Sequence, residues 1–404
     1  MKKINSVFAK DGLLADVIPG FLPRDAQTQM ANAVNEAIAK KQQLVVEAGT
    51  GTGKTFAYLV PALMNEGKTI ISTGTKNLQE QLFHRDLPIV KKALGSYKQT
   101  ALLKGRSNYL CKHRLSYHSG SNTLLDAETL HEFSQVRRWA STTKSGDIGE
   151  LKSIPENAKV LPFVTSNVDN CLGKECPDYD ECYLVKARGE ALEADVIVVN
   201  HHLFFADLAL KDTGFGELIP DADTIIFDEA HQIGDIASEY FGQQFSTRLL
   251  HDSARDIYGL FRTTLKDIEQ ADKAAKKLAS IATDLRSYFP EKSQKGKLKE
   301  MLWDDNVVQA LDRLSDTLKT LVNILKVHIG RDKELDNIYE RLVQAKTNLK
   351  DVTDISTQGV SLWYETTPKQ VVLHLTPLSI ADKFNTIVTQ PKRTWVFTSA
   401  TLMV

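Results

Sequence analysis

The stretch that most constrains this chain is Ala48-Gly49-Thr50-Gly51-Thr52-Gly53-Lys54-Thr55, set between the apolar run Leu44-Val45-Val46-Glu47 and the helical segment Phe56 to Met64. An apolar run, a glycine-rich turn closing on Lys-Thr and then a helix is the context of a phosphate-binding loop. Glycine has no β-carbon, so the backbone at Gly51 and Gly53 can lie directly against a phosphate. Successive N–H groups and the helix N-terminus then face the anion. Lys54 is expected to reach the outer phosphates of ATP, and the Thr55 hydroxyl to hold Mg2+. Ala48 stands where the strict pattern has glycine; Gly49 beside it restores some latitude.

A length of 404 residues allows two or three domains. Lys plus Arg (50) nearly equals Asp plus Glu (51), so no global positive field advertises a nucleic-acid partner, and any such contact needs a local groove. No window approaches the roughly 18 uninterrupted apolar residues of a membrane span. Leu13 to Leu22 is broken by Asp16, Pro19 and Gly20, unlike a secretory signal. The expectation is a cytoplasmic protein with no membrane partner, in which cysteines bind metal or stay reduced.

Pro23 precedes a helical pattern in which Ala26, Met30, Ala31, Val34, Ala37 and Ile38 recur at three and four, with Arg24, Gln27 and Gln29 among its polar positions. Short runs rich in Val and Ile follow at 69–73, 100–104, 196–200, 224–229, 371–376 and 394–399. Their near-continuous apolar character is that of buried parallel strands. Helical segments fall between them, and this alternation predicts a doubly wound α/β fold. Two insertions break it. The window 111–186 shows little strand pattern and holds all four cysteines. From about 236 to 352 the pattern is helical and charged, with stripes through Leu250 to Ile268, Val307 to Leu325 and Leu335 to Val352 that predict an antiparallel bundle.

Thr224-Ile225-Ile226-Phe227-Asp228-Glu229-Ala230-His231 is a second chemical signature. It sets two acids at the carboxyl edge of a parallel sheet, where ligands of such sheets bind. Asp228 is expected to share the Mg2+ with Thr55, Glu229 to orient or deprotonate the attacking water, and His231 to couple the nucleotide to the rest of the protein. Cys111, Cys171, Cys176 and Cys182, three of them within twelve residues, have the chemistry to close around Zn2+ or an iron-sulfur cluster. Spacing alone does not choose between the two.

Taken with the Arg24-x-x-Gln27 pair, Ser72-Thr73-Gly74-Thr75 with Leu78-Gln79, Lys104-Gly105-Arg106-Ser107-Asn108-Tyr109-Leu110-Cys111, Asp169-Asn170-Cys171, Cys176-Pro177, Val199-Asn200-His201-His202 and Ser399-Ala400-Thr401, these motifs resemble those of a known family. They look like the amino-terminal part of the iron-sulfur superfamily-two DNA helicases related to XPD and DinG, closest to the bacterial YoaA branch. The resemblance implies a RecA-like P-loop motor domain interrupted by a four-cysteine cluster domain and an all-helical Arch insertion. Its parts would be motor segments 1–110, 187–235 and 366–404, a cluster domain 111–186 and an Arch 236–365. Arg24 and Gln27 would read adenine, the four cysteines would ligate a [4Fe-4S] cluster, Ser72 to Gln81 would grip single-stranded DNA, and Ser399-Ala400-Thr401 would link hydrolysis to strand separation.

By the same resemblance the activity is ATP-dependent 5'–3' unwinding in replication and repair. The partners would be single-stranded and forked DNA and a replication protein such as a polymerase accessory subunit. Lys104 and Arg106 are expected at DNA phosphates, and Tyr109 either stacks on a base or packs on the cluster domain. The chain stops at Leu402-Met403-Val404, where that family continues into a second motor domain. It is therefore expected to be a fragment that binds ATP weakly, hydrolyses it poorly and does not translocate. A nucleotide-regulated DNA-binding or partner-docking module is the alternative from another class. A P-loop kinase or transporter ATPase with a zinc insertion leaves Gln27 and the Ser-Ala-Thr motif unexplained.

Overall fold

The computed structural model describes residues 4–119, 126–168, 170–213, 218–378, 381–389 and 393–401. Asp169 and Leu402-Met403-Val404, named above, lie outside the described residues. The strands, in chain order, are β1 (Gln43–Glu47), β2 (Thr69–Thr73), β3 (Thr100–Leu102), β4 (Val196–Asn200), β5 (Thr224–Asp228), β6 (Gln243–Ser246), β7 (Gln294–Lys297), β8 (Val360–Thr367), β9 (Gln370–Pro377) and β10 (Thr394–Ser399). Six of them make one parallel sheet in the order β1-β10-β5-β2-β4-β3.

Residues alternate between the two faces of this sheet, and both faces are covered. Ile71, Val196, Val198, Ile226 and Val396 pack with the helices Asp25–Lys40, Lys54–Met64 and Leu87–Leu94. Ile70, Ile197, Val199, Ile225, Phe227 and Trp395 pack with Tyr183–Glu193, His201–Thr213 and Ile233–Phe241 on the other side. Burial on both faces is why these strands read as unbroken Val/Ile runs, and the doubly wound α/β architecture stands as expected. β1 is the exception among them. It lies at the edge of the sheet, and Val45 is 66% exposed.

The second insertion differs from its expectation in two respects. Its helices Thr247–Thr263, Glu269–Ser287, Asp305–Lys326 and Lys333–Thr353 share one apolar core, but they pack with a four-stranded antiparallel sheet, β6-β9-β8-β7, so the insertion is not all-helical. β9 contains Val371 to Thr376, which was expected among the parallel strands. Its Val-Val-Leu-His-Leu run is apolar enough to pass for a buried parallel strand, yet it pairs antiparallel with β8 and β6. The polar sequence Gln-Lys-Gly-Lys of β7 carries no strand signal at all. The stripe from Leu250 to Ile268 is also cut: its helix ends at Thr263, Leu265 and Ile268 fill the connection, and a separate helix begins at Glu269. Arg341 and Asp256 form a buried ion pair at 3.0 Å between two of these helices.

The cysteine-bearing segment has its own small core, built around Tyr109, Leu110, Phe133, Val136, Val160 and Leu184. It touches the helical insertion through the His113 Nε2–Glu334 Oε1 contact at 2.7 Å, the Lys333–Glu175 pair at 3.2 Å and the Arg255 guanidinium over the Phe163 ring at 5.0 Å. A cavity of about 520 Å³ lies between the two, lined in part by Ser107, Asn167, Gln244, Arg248, Arg255 and Asn348. Among the described residues no helix is long and apolar enough to cross a membrane.

Candidate functional site

β1 runs directly into the glycine-rich turn. Gly51 and Gly53 take φ of 80° and 82°, the left-handed region that favours glycine, and Gly53 sits at the start of helix Lys54–Met64. Gly53 has a second reason to be glycine. Gln27, buried in the preceding helix, donates from Nε2 to the Gly53 carbonyl at 3.0 Å, and a β-carbon would come within 2.1 Å of that nitrogen. Gln27 thus braces the loop from behind. Arg24, at the N-terminal boundary of the same helix, is exposed. The fold therefore brings Gln27 to the loop directly and leaves Arg24 exposed at the helix boundary.

The register of the sheet gathers the remaining chemistry. β10 lies between β1 and β5, with Ser399 opposite Glu47 and Thr398 opposite Asp228. The three strand ends therefore open side by side, and a mostly buried Lys54 reaches across so that its Nζ lies 3.8 Å from Glu229 Oε1. Asp228 is 8% exposed and accepts a hydrogen bond from the Tyr58 hydroxyl at 2.9 Å. Burial pushes its carboxyl up to about 6; the Tyr58 hydrogen bond opposes this, Glu229 adds to it and Lys54 opposes it. The Tyr58 phenol is itself held well above its ordinary value, chiefly by burial and then by Asp228's charge, and the Thr55 hydroxyl reaches the same phenol. Thr55 and Asp228 thus share a neighbour.

Tyr58 is a residue that sequence reasoning missed, although its place one helical turn after Lys54 could have drawn attention to it. Glu229 is one of two non-glycine residues with positive φ among the described residues, at 58°. That conformation costs free energy and clusters at functional sites. Its Oε2 stands 3.3 Å from His231 Nδ1, which in turn lies 2.8 Å from Ser399 Oγ. Lys54, Glu229, His231 and Ser399, from three separate stretches of chain, therefore form one polar set. Beneath them His201, fully buried and pushed down to about 4 by burial, meets Ser72 Oγ through Nδ1 at 2.7 Å.

The segment expected to grip DNA is partly structural. Thr75 caps the helix Lys76–Gln81 by accepting from the Leu78 N–H at 3.3 Å, and Gln79 is buried, donating to the Leu103 and Val198 carbonyls. Thr75, Lys76 and Asn77 are exposed. The expected phosphate contact at Lys104 is contradicted: its side chain is buried and pairs with Glu80 and with Asp147 at 2.5 Å, tying the parallel-sheet domain to the cysteine segment. Tyr109 is also not a platform for a base. It is 6% exposed in the core of the cysteine segment, and its hydroxyl accepts from the Lys104 N–H at 3.1 Å. Arg106 stays partly exposed, with Nη1 at 3.5 Å from the Asn167 carbonyl.

Cys111, Cys171, Cys176 and Cys182 are all partly buried and free of disulfides. Burial pushes Cys111 up to about 11, and Cys171 and Cys176 lie close enough to add to the shift. Burial also raises Cys176, with Cys171 and Cys182 contributing. The fold therefore collects all four thiols. The Arg188 guanidinium lies beside Cys171 and Cys182 with its buried Nε lacking a hydrogen-bond partner. A guanidinium with an unpartnered buried N–H beside Cys171 and Cys182 fits a negatively charged thiolate-ligated centre. His113, Cys176 and Asp178 also have ligand atoms within 4.8 Å of one another.

Residues 25–126 match the DEAD/DEAH box helicase family, a segment that begins at the helix of Gln27 and contains the phosphate loop. Over 397 residues the chain is 51% identical to the ATP-dependent DNA helicase YoaA of Escherichia coli. The chain is a relative of the YoaA and DinG helicases. That match covers 98% of this chain and 62% of the Escherichia coli protein. YoaA of Haemophilus influenzae is 47% identical over 403 residues, covering 100% of this chain and 63% of that protein. The helicase DinG of Mycobacterium tuberculosis is 36% identical over 256 residues, 58% of this chain and 38% of that one. The chain thus spans a little over three fifths of the length of the YoaA relatives. The resemblance to DinG-type helicases and to their YoaA branch, read from the motifs, holds.

Proposed function

We propose that this chain is the ATP-binding motor portion of a DNA helicase that moves 5'–3' on single strands and opens forked duplexes. The observation that carries this reading is the convergence of Lys54, Glu229, His231 and Ser399 at three neighbouring strand ends. Bound ATP would draw Lys54 to its outer phosphates, and Mg2+ would supply charge neutralisation beside Thr55 and Asp228. Lys54 then no longer neutralises Glu229, whose carboxylate is left to orient or deprotonate the attacking water. His231 and Ser399 hold that carboxylate from the other side and are placed to pass its state to β10.

Cys111, Cys171, Cys176 and Cys182 would hold a [4Fe-4S] cluster in this reading. The groove between the cysteine segment and the helical insertion, on whose wall Arg248 and Arg255 pair with Asp252, would pass one DNA strand. A cytoplasmic location follows from the reaction. Two measurements test the proposal. A fluorescent ATP analogue should bind this chain with Mg2+, and Lys54→Ala should weaken that binding by about tenfold or more. A protein extended to the full length of its YoaA relatives should release the strand of a forked duplex with ATP and not with a non-hydrolysable analogue. Equal release with both would leave a binding module instead of a motor.

A further inference from the structure

Gly74, the residue after β2, has an unexceptional φ, so its lack of a side chain is not a conformational requirement. What stands beside it is the tip of the Gln232 side chain, which a β-carbon here would displace. Gln232, at the end of the short turn Ala230–Gln232 that follows β5, pushes its amide against the Gly74 backbone. A β-carbon on Gly74 would meet Oε1 at 2.5 Å, Cδ at 2.8 Å and Nε2 at 2.9 Å. β2 and β5 are neighbours in the sheet, so this contact spans adjacent strand ends. On its other side the Gln232 amide nitrogen faces His231 Nε2 at 3.5 Å. That is the outer limit of a hydrogen bond, where a shift of a few tenths of an ångström makes or breaks it.

The state of His231 depends on that contact. An amide N–H donated to Nε2 makes Nε2 the acceptor and places the ring proton on Nδ1. Nδ1–H then points at Glu229 Oε2 and Ser399 Oγ, 3.3 and 2.8 Å away. We propose that Gln232 is a positioning residue that couples the Thr73-Gly74-Thr75 turn to the hydrolytic set, by setting the tautomer and orientation of His231. The inference rests on the functional reading above, in which this turn belongs to the DNA-gripping segment. A DNA backbone seated on the turn would move Gly74, Gly74 would move the Gln232 amide, and the amide would release or engage His231.

Coupling of this kind is reciprocal, which makes it measurable by binding alone. The experiment uses this chain, a fluorescein-labelled oligo-dT and ADP with Mg2+. In the unsubstituted protein, saturating ADP should change the oligo-dT dissociation constant by about fivefold or more, and oligo-dT should change the ADP constant by the same factor. Gln232→Ala should bring both factors close to one while each ligand alone binds within about twofold of its original affinity. A change that merely loosened the fold would weaken both affinities and leave their ratio. Gly74→Ala should alter the coupling factor when Gln232 is present and have no effect on it in the Gln232→Ala background, where the space is open. An undiminished factor in Gln232→Ala, or no coupling in the unsubstituted chain when both ligands bind, would overturn the inference. Failure of either ligand to bind at all would instead overturn the functional reading beneath it.

Discussion

Asp228→Asn should stabilise the ligand-free protein while removing its response to magnesium. The folded carboxyl is held near 6, against 3.8 for an ordinary aspartate, because burial penalises its charge. Between those two pH values the folded protein carries a proton that the unfolded chain has released. Stability from this group therefore falls as pH rises from about 4 to 6 and is level above. A shift of about two units corresponds to about 3 kcal/mol lost by pH 8. Asparagine carries no charge and keeps one of the two acceptors that Asp228 offers to the Tyr58 hydroxyl and the Glu229 N–H, which trims the gain. In equilibrium urea unfolding the variant should exceed the original protein by up to about 3 kcal/mol at pH 8, and by about half of that at pH 5. Mg2+ should raise the stability of the original protein at pH 8 and leave the variant unmoved. A variant that is less stable at pH 8, or a gap that does not change with pH, would refute the claim that Asp228 is a strained ligand awaiting a cation.

Lys54→Ala should weaken nucleotide binding by about ten- to a hundredfold, the worth of a lost charge-assisted hydrogen bond, as read by titration calorimetry. The anaerobically purified chain should be brown, with broad absorbance near about 400 nm from thiolate-to-iron charge transfer; a colourless protein with one zinc per chain would reject the cluster. Lys104→Met should cost about 1–3 kcal/mol in urea unfolding by stranding Asp147 and Glu80, yet leave oligo-dT affinity unchanged. Arg341→Met should destabilise the helical insertion by about 3–5 kcal/mol, and Arg341→Met with Asp256→Leu should recover most of it, since an uncompensated buried charge is the larger cost.

The parts of this protein that were legible in its sequence are those whose physics is local. Val196 to Asn200 and Thr224 to Asp228 announce themselves because burial on both faces demands apolar residues at every position. Gly51 to Thr55 is legible because phosphate approach demands glycine at fixed offsets. What escaped depends on partners distant in the chain. Nothing near Lys104 tells that Asp147 and Glu80 will close over it, so a basic residue beside a DNA-family motif was expected in solvent. Val371 to Thr376 has the apolar content of a parallel strand, and only its pairing with β8 and β6 places it elsewhere. Gln232 could have been noticed as a conspicuous amide beside His231, but its neighbour is a glycine in the turn after another strand, β2.

β1 leans on a single neighbour, β10, through the Gln43 to Glu47 and Trp395 to Ser399 pairing, and the Ala48 N–H reaches the Ser399 carbonyl at 3.0 Å. A ribosome delivers β1 early, yet both insertions must emerge before the strand that anchors it exists. Contacts so far apart in sequence form late and slowly. During synthesis the pairing that sets the glycine-rich turn beside Ser399 therefore forms only after both insertions have been made.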